Sequence, residues 1–304
     1  MKKLILCLMA IVILLSGCNK EQIPTFDLVV CDSTLNEMYT YLSDFENDSF
    51  KVKNSDINDD QVDEIKSFIS ENRDYITSIT IYSKNITEDT AKRFISFAKQ
   101  SNIPVIFAFS EISLKTLESY DKAFCITSDY IHAGEITAEE IKQLWTSGTI
   151  TDTNQDKIFS FSVIKSENEN QQYENFYQTL IKHIELYGIP MQINSIVSPE
   201  EITDLTTLSA FKAENEGVIV ISETILPLLK EYSTENQTIG FITVQQSPEN
   251  QLAENSYTLD CFIDYKNYKI AVDEILKNYN NMQYPLIELS FPVMDRTVFI
   301  PATI

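Results

Sequence analysis

Along the chain, short apolar runs alternate with stretches whose apolar residues recur at helical spacing. Phe26–Cys31, Ile76–Tyr82, Pro104–Phe109, Ala123–Thr127, Lys157–Ile164, Met191–Ile196 and Val218–Ser222 read as strands, with Phe50–Val52 and Thr238–Ile242 as shorter ones. Helical spacing marks Leu35–Phe45, Ile136–Trp145, Glu174–Leu186, Ile225–Tyr232 and Tyr268–Asn278. It also marks the segment led by Asp59-Asp60, where Val62, Ile65, Phe68 and Ile69 share a face. Thr87-Glu88-Asp89-Thr90 is close to a capping box, and Ala91, Phe94 and Phe97 follow as an inner face. Ser198-Pro199-Glu200-Glu201 predicts a helix with Pro at its first position. Apolar strands alternating with helices build βαβ units, whose parallel sheets are covered on both faces. Two such runs, roughly 26–127 and 157–260, predict an α/β protein of two Rossmann-like lobes with parallel sheets. Ligands of such sheets bind beyond the carboxyl ends of the strands, here an interlobe cleft.

The first residues follow a different pattern. Lys2 and Lys3 precede an apolar stretch, Leu4–Leu15, which is short for a membrane span and suits the core of a signal peptide. Leu15-Ser16-Gly17-Cys18 then has the form of a bacterial lipobox, with polar Asn19-Lys20 after it. Residues 1–17 are thus expected to be a signal peptide. Cys18 is the expected lipidation site, and residues 18–25 a lipid-anchored tether. Two or three acyl chains anchor stably where one does not. The competing reading is an ordinary cleaved signal or an N-terminal anchor helix.

Charge narrows the partners. Lys and Arg total 23 and Asp and Glu 45, a net charge of −22, so the surface repels phosphate backbones and nucleic acid is excluded as a partner. Loss of Lys2 and Lys3 with the signal leaves −24. With 6 Gly and no glycine-rich phosphate motif, a nucleotide cradle is not expected. With 2 His, a His-rich metal centre is excluded. Once Cys7 leaves with the signal and Cys18 carries lipid, Cys31, Cys125 and Cys261 remain, each in an apolar run. Buried free thiols on strands are favoured over a disulfide framework.

The middle of the chain is more specific. Asn102-Ile103-Pro104-Val105-Ile106-Phe107, Leu117-Glu118-Ser119-Tyr120-Asp121-Lys122-Ala123-Phe124 and Thr127-Ser128-Asp129, with Gly134 soon after, closely resemble the periplasmic galactose/glucose-binding protein family. The spacing holds without gaps to Leu144-Trp145, and weaker similarity continues to Ile158–Lys165 and to Asn54-Ser55-Asp56. The resemblance implies the type I periplasmic binding protein fold, two lobes joined by a three-crossing hinge near Ser128–Asp129, Cys261–Asp264 and Glu288–Ser290. The first lobe would be residues 26–128 plus 264–286, the second 130–260 plus 288–304.

Asp152-Thr153-Asn154-Gln155-Asp156 places oxygen ligands at alternate positions, which suits a hard cation such as calcium. The plain alternative is a polar, Asx-rich turn before a strand. The family carries a calcium loop here, completed by a distant Glu that matches Glu216. The resemblance thus implies a structural Ca²⁺ held by Asp152, Asn154, Asp156, Ser160 and Glu216. Lys157 stands where the family has Gly, and Ser160 is a shorter ligand than usual.

The family's hexose pocket uses Asp, Asn, His and Arg between two aromatic faces. Where it has His, Asp and Arg, this chain has Asn170, Gln172 and Phe176. Its Asn, Asp and hinge Asn become Ser222, Thr243 and Phe262; its first-lobe Asn falls near Lys84, and Asp32 is the candidate carboxylate. Tyr130, just past the first hinge, is a candidate cleft residue. Losing the Asp–Arg pair and one further charge-assisted bond would cost about 4–9 kcal/mol, so a different grip is expected. His183 lies in a helical run and His132 follows the hinge, both expected in surface or capping roles. No nucleophile motif occurs, and an enzyme is not expected. The expectation is a monomeric extracytoplasmic lipoprotein that binds a small solute, a carbohydrate above all, and delivers it to an ABC permease by hinge closure. The alternative is a degenerate binding fold acting as a sensor or protein-interaction module.

Overall fold

The computed structural model describes residues 25–57, 59–84, 86–166, 171–233, 240–245, 258–280 and 289–303. Cys18, Asn170 and Glu288 lie outside these residues. The chain alternates as the hydrophobic pattern predicts. β1 (Phe26–Asp32), α1 (Asn36–Ser43), β2 (Phe50–Ser55), α2 (Asp59–Glu71), β3 (Ile76–Tyr82), α3 (Glu88–Ser101), β4 (Val105–Ala108), the short α4 (Leu114–Leu117) and β5 (Ala123–Ser128) come first. α5 (Tyr130–Ser147), β6 (Phe159–Lys165), α6 (Gln171–Leu186), β7 (Met191–Val197), α7 (Leu205–Ala213), β8 (Gly217–Ile221), α8 (Leu226–Ser233) and β9 (Phe241–Gln245) follow. β10 (Thr258–Phe262), α9 (Lys266–Asn280), β11 (Val293–Met294) and β12 (Thr297–Ile300) complete the described chain.

One sheet has the order β11-β12-β5-β4-β3-β1-β2 and the other β10-β9-β8-β6-β7. β1 with β2 and β3, β5 with β12, β6 with β7 and β8, and β9 with β8 and β10 pair in parallel, and β11 with β12 antiparallel. β4, β5 and β8 are buried along their whole length, as strands covered on both faces must be. By packing, the chain divides into two compact units. One holds the described residues up to Phe107 with Lys115–Ala123; the other holds Ala108–Leu114 with the described residues from Phe124 onward.

Local chemistry sets the element ends. Thr87 accepts the Thr90 amide at the start of α3, and left-handed Asn102 returns its amide to Ala98 and Lys99 at the end. Asp129 accepts the His132 amide, so α5 begins at Tyr130, about a turn and a half before the apolar periodicity suggested. Ser198 and Glu201 do form a reciprocal capping box, but around a 3₁₀ turn at Pro199–Glu201. Ile202 leaves helical geometry there, and α7 starts afresh from its own cap, Asp204. β6 begins late because Gln155 and Lys157 occupy left-handed backbone.

β12 pairs with β5, so 293–300 extends the sheet of β1–β5. Its hairpin with β11 turns at Asp295, which is also left-handed. α9 carries Tyr268, whose ring stacks on Phe109 at 3.8 Å and whose hydroxyl bonds Ser128 Oγ. Among the described residues no helix is long and apolar enough to cross a membrane.

Cys31, Cys125 and Cys261 are free and buried, as their apolar settings predict. Burial, helped by the neighbouring Asp32 carboxylate, pushes the Cys31 thiol up to about 12. At pH 8 only about one such thiol in ten thousand is ionised. Alkylation of the native protein is therefore expected to leave Cys31 unmodified, with modification only after denaturation. Fast labelling of Cys31, read by peptide mass spectrometry, would contradict the buried placement.

Candidate functional site

In the first unit, polar groups gather at the carboxyl ends of β1, β2 and β3. Asp32 ends β1 and is only 8% exposed. Its Oδ1 accepts from the Thr34 amide (3.0 Å) and hydroxyl (2.8 Å), and its Oδ2 from Ser83 Oγ (2.9 Å). Three donors hold the buried carboxylate in one orientation. Ser33 Oγ donates to Asp56 Oδ1, and half-buried Lys84 follows Ser83.

In the second unit, a depression of about 670 Å³ opens at the carboxyl ends of β6 and β7. Its lining combines Ile196 and Val197 with Lys165, Ser198 and the carboxylates Glu200 and Glu201. Lys165 Nζ donates to Glu174 Oε2 at 2.7 Å and lies 4.7 Å from the Tyr177 ring centre. That hydrogen bond, joined by one from Gln178, holds the Glu174 carboxyl below the ordinary range. The associated stability is complete above the unfolded carboxyl value and is lost as pH falls through the lowered one. An apolar wall beside hydroxyl and carboxylate acceptors is chemistry suited to a polyol. Sequence reasoning missed this lining. Its one signal was the Ser-Pro-Glu-Glu turn directly after a strand.

The positions implied by the resemblance fare unequally. Gln172, in the first turn of α6, is buried and donates Nε2 to Thr127 Oγ1 at 2.8 Å. Tyr130 is buried edge-to-face against Tyr173 (5.3 Å), and Ser222 Oγ shares a 2.8 Å hydrogen bond with Thr224 Oγ1. Phe176 and Thr243 are fully buried and offer a ligand no surface, which corrects their expected place in the pocket. Phe176 belongs to the inner face of α6 with Gln172, Leu180 and Ile184, and Thr243 lies in the middle of β9 between β8 and β10. Phe262 is the last residue of β10. Asn170 falls outside the described residues. His132 and His183 both approach Glu135, at 3.9 and 3.6 Å, on the partly exposed faces of α5 and α6.

Asp152, Asp156 and Glu216 come together, with one carboxylate oxygen of each within 4.8 Å of the others. Glu216 is 3% exposed; its Oε1 accepts the Thr153 amide (3.1 Å) and its Oε2 the Ser160 amide (2.9 Å). Asp152 Oδ2 accepts the Lys157 amide (3.0 Å), and Asn154 Oδ1 accepts the Asp156 amide (3.0 Å). Asp156 Oδ1 accepts from Ile158 (2.7 Å). Lys157 takes left-handed backbone (φ 65°), a conformation that favours Gly. Asp152 Oδ1 is buried with no hydrogen-bond partner among the described residues. A buried, uncompensated carboxylate oxygen beside two further carboxylates fits a hard cation.

No family model matches the chain. Its sequence is 28% identical over 99 residues to the D-galactose/methyl-galactoside binding periplasmic protein MglB of Haemophilus influenzae. That match covers 33% of this chain and 30% of the relative's length. The fold is similar to an ABC transporter solute binding protein from Burkholderia graminis in complex with D-arabinose, with TM-score 0.57, 12% identity, and 91% and 94% of the two chains covered. A periplasmic solute binding protein from Actinobacillus succinogenes with bound D-allose gives TM-score 0.57 at 11% identity over 92% and 96%. A carbohydrate transporter solute binding protein from Agrobacterium radiobacter in complex with D-arabinose gives 0.60 at 12% over 93% and 94%. These similar proteins are binding proteins rather than enzymes. Two parallel sheets wound by helices, matched over nine-tenths of each solved chain, give this protein the fold of the type I periplasmic binding proteins.

Proposed function

We propose that the protein is an extracytoplasmic solute-binding lipoprotein that captures a carbohydrate by hinge closure and presents it to an ABC permease. The depression at the carboxyl ends of β6 and β7 carries this reading. It lies where ligands of wound parallel sheets bind, and its acceptors beside an apolar wall suit a sugar's hydroxyls and ring face. Cys18 carries the lipid anchor, and the protein works as a monomer. Binding shifts an open–closed population by the ligand's preference for the closed form.

Asp152, Asn154, Asp156, Ser160 and Glu216 would hold a calcium ion. The bound ion would neutralise the carboxylates and fix the loop entering β6. A second reading, a degenerate binding fold serving as a sensor or interaction module, is favoured by one observation. Phe176 and Thr243, which stand at the family's charged pocket positions, are sealed into the core.

A monosaccharide panel at about 10 mM each, read by thermal unfolding, separates the two. A sugar with a dissociation constant near 10 µM would add about 4 kcal/mol to the native state. The expected result is a clear upward shift with at least one pentose or hexose. A flat panel sinks the carbohydrate reading and leaves the interaction module.

A further inference from the structure

The cation loop has a feature that the calcium reading leaves unused. Lys212, in the last turn of α7, is half-buried, and its Nζ donates to the carbonyl oxygens of Asn215 (2.8 Å) and Glu216 (3.3 Å). The structure makes room for it. A Cβ on Gly240 would stand 2.0 Å from Lys212 Cε and 3.0 Å from its Cδ, so position 240 tolerates no side chain while the lysine lies there. The ammonium thus sits against the backbone of Glu216 itself; burial lowers its pKa, and the Glu216 carboxylate opposes that shift in part. Beyond Glu216 stand Asp152 and Asp156, a concentration of like charge that repels itself unless a cation is near.

We propose that Lys212 is a resident counter-cation of this cluster: it keeps the loop in shape without metal and sets the calcium affinity low. The inference rests on the reading that Asp152, Asp156 and Glu216 bind calcium. A fixed ammonium beside Glu216 opposes an incoming divalent ion and offsets part of the carboxylate repulsion before it arrives. Lys157, exposed at the sixth loop position, adds to the same bias.

The test is calcium titration of the purified protein by calorimetry at constant ionic strength, with unfolding scans in chelator. Lys212→Met keeps most of the stem and removes the charge. Lys212→Gln also removes the charge while retaining a donor for the two carbonyls, and serves if the Met variant folds poorly. Loss of a unit charge held at the backbone of a cluster residue supports an expectation of about tenfold tighter calcium binding in either neutral variant, with lower stability in chelator. Lys212→Arg is expected to keep the wild-type affinity. Unchanged affinity in both neutral variants overturns the proposal while leaving calcium binding intact, since a lysine that only caps the turn would alter stability alone. Absence of calcium binding up to about 10 mM in every form overturns the calcium reading and the proposal together.

Discussion

Glu216→Gln is expected to lower stability by about 2–4 kcal/mol and to abolish any stabilisation by calcium. The side chain is almost wholly buried and accepts one backbone amide on each oxygen. A glutamine fits the same space but carries one acceptor and one NH₂ group. Whichever way it is turned, a donor faces the amide of Thr153 or Ser160. The charge-assisted bond lost there is worth about 1.5–3 kcal/mol, and the stranded amide adds the cost of an unsatisfied buried donor. Partial relief of repulsion against Asp152 and Asp156 works the other way, which is why the expected loss is less than the sum of those two costs. Urea unfolding in chelator and in millimolar calcium separates the parts. A lower midpoint in chelator reports the two amide bonds; the missing calcium shift reports the ligand. A variant that unfolds at the wild-type midpoint, yet still gains from calcium, would show that Glu216 is neither a strut nor a ligand.

The gathering of Asp152 and Asp156 was legible in the sequence because the two are local, and Glu216 was supplied by the resemblance. Alternation of Asp152, Asn154 and Asp156 is visible to the eye, and Glu216 lies one residue before a strand whose neighbour begins with the loop. The strands were legible for a similar reason, since a doubly covered strand is a continuous apolar run, as in Ile79–Tyr82 or Val218–Ile221. Phe176 shows where positional alignment misleads. Its place was matched to a pocket Arg, although Gln172, Phe176, Leu180 and Ile184 fall on one helical stripe and so point the same way. Periodicity, applied to that residue, already placed it in the core. Ile196, Val197, Glu200 and Glu201 escaped notice because nothing local distinguishes a pocket wall from an edge strand and its turn. β11 and β12 escaped because strands of two and four residues carry no pattern, and their place depends on pairing with β5, far away in sequence.

In the second unit α5 and α6 pack tightly at Gly134. α5 turns Ala133, Gly134, Thr137 and Ala138 inward, a face of small residues that lets α6 come near. A Cβ at Gly134 would stand 2.7 Å from the Phe176 carbonyl oxygen, 2.9 Å from Thr179 Cβ and 3.1 Å from the Leu180 amide nitrogen. Two of these three neighbours are backbone atoms of α6, which cannot rotate away; the whole helix must retreat. Gly134→Val is therefore expected to cost about 3 kcal/mol, the upper part of the range for overpacking a close-fitted interior. Gly134→Ala carries an opposing gain of about 1 kcal/mol from helix propensity, so it is expected to cost less, about 1–2 kcal/mol. Retreat of α6 also displaces its first turn, where Gln172 reaches Thr127 and Glu174 holds Lys165 at the edge of the depression. Any sugar that stabilises the wild-type protein should consequently bind both variants more weakly, in the same rank order as their stability loss. Urea midpoints and sugar dissociation constants for the two variants decide the matter. Were Gly134→Ala instead to gain the full propensity term, the helices would have room to part at no cost, and the close approach would not be what fixes Gln172 and Lys165 in place.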